Sequence, residues 1–170
     1  AAALAAGCLA LPAAAILTRA DRDDAEYREL ATRYPAAVAL PGGMGALVAP
    51  RWILTTAALA GALPAKASIA IGGRSHEVER AFPHPSRDTG VALVLLRAPV
   101  EGIEPAAAWR GDDEAGRTAR IVGAGATGRI GAAGAKPDGR VRAAINTIDR
   151  VAAATFGMRL KGKEDASDLQ

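Results

Sequence analysis

The chain has 170 residues and a formal net charge of +3; half of its residues are apolar, 23% are charged and only 4% are aromatic. That length and apolar share argue against a disordered tail and allow one domain with a core, or a domain and a half. The basic residues form no cluster interleaved with aromatics, which argues against a nucleic-acid surface.

Alanine makes up about a quarter of the sequence. Burial stabilises by roughly 25 cal/mol per Å² and alanine buries little area, so the core is expected to be thin. The single cysteine, Cys8, excludes an intrachain disulfide.

Residues 1–15, "AAALAAGCLALPAAA", carry no charge and close on Ala13-Ala14-Ala15. This resembles the apolar stretch and A-x-A cleavage site of a secretory signal, without a basic start. It is too short to span a bilayer. "AAGC" is also similar to a lipoprotein cleavage box, in which case a lipid on Cys8 would be the one tie to a membrane. A plain buried helix is the third reading. The first two imply a secreted or periplasmic protein. Cleavage after Ala15 would leave Ile16 as the new N-terminus.

Residues 16–35 form an N-terminal arm or a short helix. Within them "DRDDAEYRELATR" offers an Asp N-cap and one apolar edge.

From 36 to 105 the texture changes to short apolar runs cut by Gly and Pro, among them "GALVAPRWILTT", "KASIAIGG" and "VALVLLRAP". Such runs between turn formers predict an all-β sandwich or barrel. "TTAALAGALPA" interrupts them as a single helical turn after a strand. Trp52, between Arg51 and Ile53, is expected in the core. Residues 106–116 read as a linker, in which "WRGDDE" is taken as a solvated turn rather than an adhesion or calcium motif. Two or three further strands are expected over 117–160, then a polar tail, 161–170.

"IVGAGATG", Ile121 to Gly128, is a literal G-x-G-x-x-G after an apolar run, and Asp149 follows about 20 positions on, as in a Rossmann-like dinucleotide-binding fragment. The helix that must follow would be "RIGAAGAKPDG", whose glycines and proline disfavour a helix interior. A glycine-rich β-turn is the preferred reading. No cofactor and no metal is implied.

Three blocks stand in the order and spacing of the trypsin-like serine proteases. "GALVAPRWILTTAA" resembles the strand, turn and strand that lead to the family's catalytic histidine. "AFPHPSRDTGVALVLLRAPV" is similar to the strand that carries its aspartate, and "ARIVGAGATGRIG" to the opening of its second barrel. The resemblance covers residues 36–150. It implies an all-β, antiparallel β-barrel over 36–105 and the opening strands of a second over 117–160.

The family's chemistry needs a histidine to accept a proton from a serine, an aspartate to orient the histidine, and backbone N–H groups for the oxyanion. Mapped onto this sequence, the histidine position is Ala58 and the aspartate position is Gly90. The serine block is not in the sequence, although "DASDLQ" at 165–170 looks like its run-up. The disulfide beside the histidine would fall on Gly43 and Leu59. Asp88 lies two residues before Gly90, about 6–7 Å along a strand, and so is out of reach. His84 matches a non-catalytic "HP" turn, and His76 is expected at the surface.

The resemblance thus implies an exported protease homologue without an intact catalytic residue. It would be a pseudoprotease or an N-terminal fragment, acting as a binding or scaffold module for a protein or peptide ligand. The alternative is the N-terminal part of an active serine endopeptidase whose nucleophile lies beyond residue 170. Unpaired strands of an unfinished second barrel would favour self-association, with 141–160 poorly ordered or paired in a manner foreign to the family.

Overall fold

The structure, a computed structural model, describes residues 14–19, 21–86, 89–129, 136–152 and 155–158. Of the expected leader, 1–15, residues 1–13 with Cys8 lie outside the described residues, as do Asp88 and the polar tail, 161–170. Among the described residues no helix is long and apolar enough to cross a membrane.

Strands β2 (Ala37–Leu40), β3 (Gly43–Ala49), β4 (Trp52–Thr56), β5 (Ser68–Ile71), β6 (Arg74–Pro83) and β7 (Val91–Leu96) form one antiparallel sheet in the order β2-β3-β4-β7-β6-β5. Its two edges, β2 and β5, come together, so the sheet curls into a nearly closed barrel.

Period-2 alternation explains the curl, because alternate side chains must leave water on one face only. In β5, Ile69 and Ile71 are buried while Ser68 and Ala70 are exposed; in β7, Ala92, Val94 and Leu96 are buried while Val91 and Leu93 are exposed. Leu47, Ile53, Ile69, Val94 and Leu96 are the largest fully buried side chains. Each contributes roughly 1.5–3 kcal/mol by leaving water. Closure also leaves few strand edges open to other chains.

Trp52 is not in this core. The inward positions of β4 are Ile53 and Thr55, so parity turns Trp52 outward, where its ring lies 5.5 Å from that of Phe82. Thr55 is tolerated inside because its hydroxyl donates to the Met44 carbonyl at 2.9 Å.

The helical turn after β4 is α2 (Ala57–Ala62), capped by Thr56, whose hydroxyl accepts from Leu59 N at 3.2 Å. Residues 106–116 carry no helix or strand. Ala106 N–H donates to the Leu47 carbonyl at 2.8 Å and pins the start of that segment to the barrel.

The second region is a three-stranded sheet of β1 (Ala14–Thr18), β8 (Thr118–Arg129) and β9 (Lys136–Thr147), in the order β1-β8-β9. β8 and β9 pair antiparallel over their length, and β1 lies parallel to β8, with Ile16 opposite Thr127. The 16–35 segment therefore holds both part of a strand and a helix, α1 (Asp24–Thr32). A capping box starts that helix: Asp23 Oδ1 accepts from Ala25 N at 2.9 Å, and Glu26 Oε1 accepts from Asp23 N at 3.0 Å.

Two expectations are corrected here. The "IVGAGATG" stretch is not a β-turn but the middle of β8, and of 141–160 the part Val141–Thr147 forms a regular ladder with it, which corrects the poorly ordered alternative for those residues alone. β10 (Arg150–Ala152) and β11 (Thr155–Gly157) pair as a small antiparallel unit. A second closed barrel is not formed among the described residues.

Candidate functional site

β4 delivers α2 to one end of the barrel, and the start of β7 returns to the same place. Ala57 N–H donates to the Gly90 carbonyl at 2.8 Å, so the backbone beside Ala58 and that of Gly90 run close together, although a Cβ on Gly90 would meet no atom within 4 Å. Ala58 and Gly90 are both exposed. Neither carries a group that accepts a proton or holds an imidazole in place. Gly90 also has φ +59°, a left-handed conformation that costs a side-chain-bearing residue roughly 1–2 kcal/mol.

Gly43 and Leu59 also meet. A Cβ built on Gly43 would stand 2.6 Å from Leu59 Cδ1 and 3.5 Å from Leu59 Cγ. The leucine thus fills the room that the glycine leaves, and an apolar contact ties α2 to β3.

The two histidines lie elsewhere. The backbone of His84 pairs with Val91, but its Nδ1 accepts from Ser86 N at 3.1 Å in the turn that follows. His76 is half-buried rather than on the surface, because it shares a face of β6 with buried Val78 and stands opposite Ile69. Neither faces a carboxylate at salt-bridge distance among the described residues.

A dinucleotide cradle needs its glycines at a strand-to-helix turn. Gly123, Gly125 and Gly128 lie inside β8, and the chain returns as antiparallel β9. In "WRGDDE", Asp113 is taken up by Arg117, whose guanidinium also lies 4.7 Å from the Trp109 ring centre. That hydrogen bond holds the Asp113 carboxyl below its usual range. Among the described residues no cluster of three or more His, Cys, Asp or Glu is placed to hold a metal.

Two features went unnoticed in the sequence. The first is Arg142, only 4% exposed, which binds two carboxylates at once. Its Nε donates to Asp24 Oδ1 at 2.5 Å, one terminal nitrogen to Asp138 Oδ2 at 2.6 Å, and the other to Asp138 Oδ1 at 2.9 Å and Thr127 Oγ1 at 3.1 Å. Hydrogen bonds from Arg142 lower both aspartates below the usual carboxylate range, and the two aspartates raise the guanidinium above its own. This network fastens α1 to β9.

The second is a pair of adjoining cavities. One, of about 660 Å³, lies between the barrel, the linker and β8; the other, of about 370 Å³, lies between α1, β8 and β9. Arg33, Tyr34 and Arg120 line both of them. Among the described residues neither arginine forms an ion pair. A charge at Arg120, directly before the apolar, glycine-rich run 121–128, was the available signal.

No protein-family model and no curated protein matches this sequence.

Proposed function

We propose that the chain is an exported trypsin-like serine protease homologue without peptidase activity, acting as a binding or scaffold module for a protein or peptide ligand. The observation that carries this reading is the 2.8 Å hydrogen bond from Ala57 N to Gly90 O. It brings the backbone next to Ala58 against Gly90, the two positions to which the resemblance assigns the base and its orienting acid, and neither residue carries a group for either task. Two further facts support the correspondence: the six-stranded antiparallel barrel falls within the 36–105 span, and Gly43 meets Leu59 where the resemblance implies a bridge.

The chemistry follows directly. A serine hydroxyl is a poor nucleophile until a neighbouring base takes its proton, and that base must be held in one orientation. An alanine methyl and a glycine leave both tasks undone.

The test is a serine-reactive fluorophosphonate probe on the purified chain, read by intact mass and beside a casein hydrolysis assay. No adduct and no hydrolysis are expected. Stoichiometric labelling would overturn the reading and favour an active endopeptidase.

A further inference from the structure

The wall shared by the two cavities carries two guanidinium groups and a phenol, and no acid lines both cavities. Glu29 belongs to the α1 side alone and Glu104 to the linker side alone, while Glu26 is already paired with Arg22. On the barrel side the lining is largely apolar, with Ala36, Met44, Ala46 and Val122 among it. Its volume of about 660 Å³ lies within the range of small-molecule sites. Unpaired arginines at the mouth of an apolar cleft complement a molecule with one anionic end and one apolar body, because a carboxylate accepts charge-assisted hydrogen bonds from a guanidinium fork.

We propose that this cleft binds an amphiphilic carboxylate, an aliphatic acid whose head is held by Arg33 and Arg120 and whose chain lies against Met44, Ala46 and Val122. Tyr34, which also lines both cavities, offers a hydroxyl to the same head. The ligand would bridge α1, the barrel and β8, and so would couple the two regions of the molecule. This inference is independent of the protease reading, since no residue of the Ala58–Gly90 corner lines the cleft.

The experiment titrates decanoate and, separately, decanol into the full chain, with heat of binding and thermal stability as readouts. Decanoate is expected to bind about tenfold or more tightly than decanol and to raise the melting temperature. R33A/R120A should equalise the two probes, and R33K/R120K should recover part of the preference. Both arginines are exposed, so folding should persist, as circular dichroism would show. In a chain with intact arginines, V122W should block the apolar chain and abolish binding of both probes.

Equal affinity for the two probes, absence of decanoate binding, or an undiminished preference in R33A/R120A would overturn the proposal. So would a dimer seated on this cleft that decanoate fails to dissociate, which would assign the groove to a second copy of the chain.

Discussion

Ile53 and Arg142 are both buried, yet they hold their regions by different means. Ile53 sits in a dry core to which every strand of the barrel contributes an apolar side chain. Arg142 sits between α1 and the β8–β9 ladder and is held by carboxylates, each of which is still partly in water. The barrel is therefore stabilised by burial, which is non-directional and roughly proportional to area. The sheet with its helix buries mostly smaller apolar groups, among them Ala31, Ala126 and Ala143 beside Tyr27, and adds to them directional bonds around one charge. Each region should therefore fail in its own way: the barrel as a whole when a core side chain is cut, the sheet locally when its charge is removed.

The largest effect should come from Leu47→Ala in the barrel. Leu47 is fully buried, and such truncations cost about 3–4 kcal/mol through lost transfer energy and the cavity left behind. Chemical denaturation should show a large fall in the midpoint, with all barrel amides losing protection together.

Arg142→Met should come next, at about 2–3 kcal/mol. That is less than for a fully enclosed pair, because the Asp24 and Asp138 side chains are each 36% exposed and water can solvate them. Hydrogen exchange should rise in α1 while barrel protection holds. Equal loss in both regions would erase the distinction drawn here.

Gly43→Ala is expected to cost about 1–2 kcal/mol by overpacking, since the new Cβ would meet Leu59 Cδ1 at 2.6 Å. Adding Leu59→Ala in the same chain should recover most of that loss, a coupling that a thermodynamic cycle reads directly.

The smallest effect is acid sensitivity. The folded-state pKa values of Asp24 and Asp138 lie below their ordinary values, chiefly through hydrogen bonds from Arg142. Their stabilisation is complete above the unfolded carboxylate pKa of about 3.9 and is lost as pH falls below it. Release of α1 should therefore begin below about pH 4, and in Arg142→Met that pH dependence should shrink to what Arg28 and the Arg140 N–H still supply.

The barrel was legible because its residues announce themselves locally. Ile69 with Ile71, and Val94 with Leu96, alternate with exposed neighbours, and Gly and Pro mark the ends of the runs. The capped helix at Asp23 was readable for the same reason. Trp52 is bulky and apolar but out of phase: Ile53 and Thr55 set the inward face of β4, and the ring of Trp52 is left outside. The glycines of β8 suggested a turn because their lack of a side chain says nothing about pairing, which is decided by β9. Arg142 had no local signature, since Asp24 lies 118 residues earlier in the chain. The same holds for the cleft, whose arginines meet only after α1 and β8 have packed.

The contact of Leu59 in α2 with Gly43 in β3 anchors the end of the barrel at which the proposed correspondence is read. It is tested most directly by G43C/L59C in a C8S background, oxidised in air and analysed by intact mass under native and reducing conditions. Leu59 Cγ, the atom whose place a cysteine's sulfur would take, lies 3.5 Å from the Cβ position on Gly43, so side-chain rotation can bring the two sulfurs to bonding distance. The two thiols should close into one intramolecular bridge with the loss of two hydrogens and a rise in melting temperature. Two free, fully alkylatable thiols after oxidation would contradict the account.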